Sequence, residues 1–215
     1  MKQSSSVFLI THQRGIEMKV GIIGAGAVGV SLGKALIRAG HEVMFSSREP
    51  QSDKAQQVRT ETGAPVESLE KVIAFSPVLA LAMPPDAALQ TAREYSPQLA
   101  GKVLIDMNNR LGSKQSFAQE LAGISGARVV KAFNTIGAEH YQNPVFEGQH
   151  ASMLIAGEDA EAKRWVSQLA SDIGFDVLDV GGLDAVEHVE NLAKLWIHLM
   201  LTGHGRDFAF KLIKR

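Results

Sequence analysis

Val20-Gly21-Ile22-Ile23-Gly24-Ala25-Gly26-Ala27-Val28-Gly29 decides how this chain is read. An apolar run leads into glycines at G-x-G-x-x-G spacing, and an apolar-periodic stretch follows from Val30 to Gly40. The glycine spacing alone is weak. Between a strand and a helix it becomes a dinucleotide-binding fingerprint. Gly24 permits the tight turn, Gly26 lets the backbone approach a pyrophosphate, and Gly29 lets the helix close on the sheet. Ala25, Ala27 and Val28 complete the loop. The helix then offers unpaired N–H groups and its positive dipole end to the phosphates.

The next strand, Glu42 to Ser46, indicates which dinucleotide. An NAD site usually ends this strand with Asp or Glu, which grips the ribose 2′-OH. Here the strand ends in Ser46-Ser47-Arg48. Two hydroxyls and a guanidinium suit a 2′-phosphate, which needs donors and positive charge. Lys54 adds a second positive charge at the start of the following helix, while Glu49 argues the other way as a late ribose-binding acid. The reading is NADP(H) over NAD(H), with Arg48 ahead of Lys54.

Composition bounds the remaining classes. The chain has 215 residues, 45% of them hydrophobic and 21% charged, with net charge −1. One soluble domain with a real core is expected. The neutral balance gives no electrostatic case for nucleic acid or an anionic membrane. The absence of cysteine removes disulfides, thiolate chemistry and cysteine-bound metals. No stretch approaches the roughly 20 apolar residues of a membrane span. Val7-Phe8-Leu9-Ile10 is too short for a signal peptide's apolar core. The expectation is therefore a cytoplasmic protein. Met18-Lys19-Val20 reads as a start just before the first strand. Residues 1–17 then form a disordered extension, and 18–215 a single domain.

Strand and helix patterns alternate along the chain, which argues a doubly wound, mostly parallel sheet with helices on both faces. The first helix places Val28, Leu32, Ala35, Leu36 and Ala39 on one face. A polar helix is expected over 52–62 and a short helix within 66–75. Val78 to Met83 reads as a strand buried on both faces, with Pro84-Pro85 ending it and Asp86 capping the next helix. Further strands are expected at 102–107, 128–133, 152–156 and 175–180, with helices at 114–121 and 159–173. A C-terminal helical tail follows, from Leu183 to about Leu201 and again from Phe208 to Ile213.

Ligands in such sheets bind at the carboxyl ends of the strands, near the switch point. This adds Met83 and Pro84, then Asn108, and then Asn134, Thr135 and Ile136 to the cofactor-binding candidates. Asn108 and Asn134 can each donate and accept, which suits a carboxamide, although Asn also favours turns for its own reasons.

Several segments resemble the NADPH-dependent deazaflavin (coenzyme F-420) reductases. That group includes related dinucleotide-binding oxidoreductases and the reductase domain of the STEAP metalloreductases. The likeness rests on Met18 to Gly29, Ser47-Arg48, Val130-Lys131-Ala132-Phe133-Asn134-Thr135-Ile136-Gly137, Gly181-Gly182-Leu183 through Trp196, and Asp207 to Leu212. The Lys-Ala-Phe-Asn-Thr-Ile stretch is its most specific part. The resemblance implies an NADP(H)-binding Rossmann fold and hydride transfer between NADPH and a flavin-like or deazaflavin acceptor. It also implies that the backbone at Asn134, Thr135 and Ile136 lies near the nicotinamide. Such chemistry belongs to the two cofactors, so no dedicated acid or base is required.

Among catalytic candidates, only Asn134 and His140 stand near the expected nicotinamide end. Glu187, His188 and Glu190 read as a solvated helix surface, because His188 and Glu190 point apart, and no metal site is expected. Leu192, Ala193, Trp196, Leu199 and Met200 form a helical apolar stripe, read as core or as a homodimer face. Two alternatives stand beside the reductase reading. One is a non-catalytic NADP(H) sensor or scaffold. The other is a small-substrate reductase of the ketopantoate or pyrroline-carboxylate type, completed by dimerisation. The second is disfavoured, because only 35 residues follow Val180 and Lys194 reads as a surface residue.

Overall fold

The computed structural model describes residues 16–110 and 116–215. Most of the 1–17 extension and the first part of the helix expected at 114–121 lie outside the described residues. The fold begins with β1 (Lys19–Ile23), α1 (Ala27–Arg38), β2 (Glu42–Ser46), α2 (Asp53–Thr62), β3 (Val66–Glu67) and α3 (Leu69–Phe75). It continues with β4 (Val78–Leu81), α4 (Pro85–Glu94), α5 (Ser96–Leu99), β5 (Val103–Asp106), α6 (Phe117–Ser125) and β6 (Arg128–Lys131). The last third holds a short hairpin, β7 (Val145–Phe146) and β8 (Gln149–His150), then β9 (Ser152–Ile155), α7 (Ala160–Ile173), β10 (Asp176–Asp179) and α8 (Val186–Leu199).

Six strands form one parallel sheet in the order β3-β2-β1-β4-β5-β6. The order reverses between β1 and β4, the crevice where doubly wound sheets take their ligands. A parallel pair, β9 and β10, continues this sheet through an antiparallel bridge between Lys131 and Ala156. The sheet is buried on both faces, so alternate residues of each inner strand feed two cores. Val20, Ile22, Ala80, Ile105 and Val130 meet the α1 and α7 side. Ile23, Leu79, Leu81, Leu104 and Val129 meet α4, α6 and α8. This explains why β4 is apolar without interruption.

Several boundaries differ from the sequence reading for local reasons. Asp86 does not cap α4: Pro84 takes the N-cap position and Pro85 opens the helix, where its missing N–H costs nothing. β6 stops at Lys131, because Phe133 turns to φ 59° and leaves the sheet. α6 runs on to Ser125 and ends at a left-handed Gly126. The tail from Phe208 to Ile213 is not helical. It lies alongside β9, with Phe210 accepting from the Ser152 N–H at 2.9 Å and Leu212 N–H donating to Ser152 Oγ at 2.9 Å. Phe208 stacks on Trp196 with ring centroids 5.2 Å apart. In the α8 stripe, Ala193 and Trp196 are buried, while Leu192, Leu199 and Met200 are half-buried.

Candidate active site

The glycine loop leaves the carboxyl end of β1 under tight constraint. Gly24 sits at φ +119°, and a Cβ there would lie 2.3 Å from the Ala82 carbonyl. A Cβ on Gly29 would lie 2.5 Å from the Gly24 carbonyl, so α1 reaches the sheet only without one. Gly26 differs: among the described residues, a Cβ there would meet nothing within 4 Å. Two glycines serve packing, and the third faces open space at the N-terminus of α1. That helix has no side-chain cap and no acidic residue in its first turn, so its N–H groups and dipole are available to an anion. The site therefore fits a dinucleotide pyrophosphate over Gly26.

Val28 corrects the helix reading. It is 43% exposed, and the buried face is Gly29, Leu32, Gly33, Ala35 and Leu36. Its position in the first turn puts it beside the same open space.

Ser46, at the end of β2, is buried, and its Oγ accepts from the Gly24 N–H at 3.1 Å. The hydroxyl holds the glycine turn in place. Ser47 Oγ accepts from the Glu49 N–H at 3.1 Å. Arg48 is exposed, and among the described residues its guanidinium makes no hydrogen bond or ion pair. Lys54 is also exposed, in the first turn of α2. Sequence reasoning missed Arg59, which stabilises this corner. Its guanidinium donates to the Pro50 carbonyl at 2.7 Å and to the Val66 carbonyl at 2.6 Å, fixing the loop that carries Arg48. Nothing in its helix-surface pattern signalled that role. Met83 and the exposed Pro84 follow β4 on the neighbouring strand end.

The other end of the crevice is built on β5 and β6. Asn108 donates through its backbone and side-chain N–H groups to Asp106 Oδ1, at 2.9 and 3.3 Å. Asn109 and Asn134 are paired twice. Asn109 Nδ2 donates to the Asn134 carbonyl at 3.0 Å, and Asn134 Nδ2 donates to Asn109 Oδ1 at 3.1 Å. That exchange fixes both amide orientations and, among the described residues, leaves the buried Asn134 Oδ1 without a donor. An orphaned acceptor here fits a ligand that brings an amide N–H.

Thr135 and Ile136 are buried beside it. The turn is held from below at Phe133. Its N–H points at Met153 Sδ, 3.1 Å away, and its carbonyl accepts from Tyr141 Oη at 2.5 Å. Burial pushes the Tyr141 phenol far above its usual range. It stays protonated as a donor and holds a non-glycine residue at positive φ next to the site.

His140 faces the chain's tail: its Nε2 pairs with the Arg206 carbonyl at 2.9 Å, and the ring packs on Phe146. Its neighbour Glu139 binds Arg206 through two contacts, at 2.5 and 3.0 Å, and this pairing holds the Glu139 carboxyl below its usual range. Glu190 departs from the solvated reading. Its side chain is 11% exposed and pairs with Lys131 at 3.1 Å. Among the described residues, no three metal-ligating side chains gather, and no helix is long and apolar enough to cross a membrane.

Residues 19–110 match the family model described as NADP oxidoreductase, coenzyme F420-dependent. These residues carry that family's domain. Metalloreductase STEAP3 of Rattus norvegicus is 35% identical over 178 residues, 80% of this chain and 36% of the relative. Metalloreductase STEAP2 of Homo sapiens is 29% identical over 203 residues, 89% of this chain and 40% of the relative. The chain thus spans a little over a third of the length of these curated relatives. A proposed F420-dependent NADP-reductase from Arthrobacter sp. superposes with TM-score 0.82 at 26% identity, covering 92% of this chain and all of that one. These relationships bear out the resemblance read from the sequence. They link the chain to NAD(P)-dependent oxidoreductases and support NADP(H) as its dinucleotide.

Proposed function

We propose that this chain binds NADP(H) across the β1/β4 crevice and passes hydride between NADPH and a flavin-like or deazaflavin acceptor. The observation that carries the reading is the contrast within the glycine loop. Gly24 and Gly29 are packed against protein, while Gly26 opens to empty space at an uncapped helix N-terminus. The family match over the same residues gives the dinucleotide its identity.

In this reading Gly24 to Gly29 hold the pyrophosphate, with backbone N–H groups as donors. Ser47, Arg48 and Lys54 take the 2′-phosphate, and Ser46 keeps the glycine turn in register from behind. Met83 and Pro84 line the middle of the cofactor. Asn108, Asn134, Thr135 and Ile136 border the nicotinamide, with Asn134 Oδ1 as the waiting acceptor. NADP(H) supplies the hydride chemistry when bound. The protein's own work is to orient two flat rings and exclude water between them. His140 is engaged with the tail. Lys194 is exposed and bonded to Asn191 at 3.0 Å on the helix surface. Neither placement supports a small-substrate reductase that uses a catalytic lysine.

The test follows NADPH absorbance with purified protein and a panel of deazaflavin, FMN, FAD and ferric chelates. Rapid oxidation with one of them is expected and names the acceptor. Tight NADPH binding without oxidation by any of them refutes hydride transfer to this class and leaves a sensor.

A further inference from the structure

Lys131 is a charged residue that is costly to bury. It stands at the carboxyl end of β6 between Val130 and Ala132, and its side chain has no solvent exposure. Three oxygens surround its ammonium: Asp106 Oδ2 at 3.0 Å, Glu190 Oε1 at 3.1 Å and the Asn108 carbonyl. Asp106 is equally buried. Each ammonium proton has an acceptor, so the ion is satisfied. Apolar residues of similar volume nevertheless fill such a site as well or better. What the lysine does and an apolar residue cannot is join separate segments. Its three acceptors come from the end of β5, the turn after it, and α8.

The joined segments lead to the proposed site. Asp106 Oδ1 fixes Asn108. Lys131 holds the Asn108 carbonyl, and the next residue, Asn109, sets the Asn134 amide by double exchange. Polar contacts, joined by the Asn108–Asn109 peptide bond, therefore lead from Glu190 on α8 to the Asn134 amide, whose Oδ1 is unpartnered among the described residues.

We propose that Lys131 is a positioning residue for the nicotinamide half of NADP(H). It locks the Asn108–Asn109 turn against α8, and this lock keeps Asn134 Oδ1 presented as an acceptor for the carboxamide. The inference rests on the NADP(H) reading above. If the turn loosens, Asn134 is free to turn its amide, and the acceptor is lost while the phosphate-binding end is untouched.

Three probes separate these effects by calorimetric titration: NADP⁺, its 3-acetylpyridine analogue and 2′,5′-ADP. The analogue has a methyl ketone in place of the carboxamide and so lacks the N–H donor. 2′,5′-ADP lacks the nicotinamide half altogether. Wild type is expected to bind NADP⁺ about fivefold more tightly than the analogue, the worth of one neutral hydrogen bond. Lys131→Met and Glu190→Ala abolish that discrimination and leave 2′,5′-ADP affinity unchanged. Glu190→Gln, which keeps an acceptor for the ammonium, restores it.

Discrimination that survives Glu190→Ala overturns the proposal. So does a uniform loss across all three probes, which would mark a merely structural role. If Lys131→Met does not fold, the two Glu190 variants decide alone. Wild type that binds 2′,5′-ADP but does not discriminate also overturns it, with the NADP(H) reading intact. No binding of 2′,5′-ADP at all refutes the NADP(H) reading itself.

Discussion

Gly26→Ala should separate cofactor binding from folding within one loop. The residue sits at φ −87°, ψ 177°, extended backbone that alanine adopts freely. The added methyl meets no protein atom within 4 Å. Alanine is a poorer N-cap than glycine but restricts the unfolded chain more. These terms oppose each other, so stability should change by less than about 1 kcal/mol. In the proposed reading, the methyl occupies the space through which a pyrophosphate approaches the helix N-terminus. Losing one charge-assisted N–H contact costs about 1.5–3 kcal/mol, or roughly 10- to 150-fold in affinity. The matching variant Gly24→Ala should behave in the opposite way. Its Cβ would sit 2.3 Å from the Ala82 carbonyl at φ +119°, so the fold itself should suffer. The assay pairs urea unfolding with NADPH fluorescence titration on both variants. Wild-type NADPH affinity in a folded Gly26→Ala protein would show that the pyrophosphate does not lie over this residue. Marked destabilisation of Gly26→Ala would show that the space is not open.

Two further outcomes test other parts of the molecule. Arg48→Ala should cut the preference for NADPH over NADH by about tenfold, as expected for an exposed charge-assisted contact to the 2′-phosphate, with a smaller effect from Lys54→Ala. Equal NADPH and NADH affinities in wild type, or an unchanged ratio in the variant, would remove the 2′-phosphate site from this strand end. His41 should make the protein acid-sensitive. It is 6% exposed, its Nδ1 accepts from the Met18 N–H at 3.2 Å, and its Nε2 lies 3.3 Å from Asp172. Burial holds its pKa below 6.5, against the opposing pull of Asp172 and Glu17. The unfolded chain therefore takes up a proton near 6.5 that the folded protein resists. Stability falls as pH drops from about 6.5 toward the folded value, by no more than about 1.4 kcal/mol per pH unit. Urea midpoints at pH 7.5 and 5.5 should differ less in His41→Gln than in wild type. Identical declines in the two proteins would mean another group carries the effect.

Patterns set by near neighbours were readable from the chain. β1, the glycine turn and α1 were clear because Gly24 and Gly29 answer to contacts within the βα unit or at the end of the adjoining strand. β4 was clear because burial on both faces leaves an unbroken apolar run. The errors have a different origin. Glu190 reads as solvated together with Glu187 and His188, and those two are indeed exposed. It is drawn inward by Lys131, which lies 59 residues away in sequence. The tail from Phe208 to Ile213 carries apolar residues that suit a helix, yet its backbone is spent on Ser152, about 60 residues away. No local period encodes a partner at that distance.

The most informative misreading is Val28. Periodicity assigned it to the core, and it stands exposed in the first turn of α1. An exposed valine in a well-packed helix contradicts the pattern only if the protein chain is the whole of what it packs against. Among the described residues, Gly26, two positions away, faces open space, Asn134 Oδ1 lacks a donor, and Arg48 is exposed without an ion pair. All three lie at carboxyl ends of strands in one sheet, on either side of the β1/β4 switch. Departures from local consistency gather where function needs them. Here they have three different chemistries: an apolar surface, an amide acceptor and a cation. One dinucleotide carries the complement of each in its rings, its carboxamide and its phosphates. A molecule that matched only one of them, such as inorganic phosphate, would leave the other two unexplained.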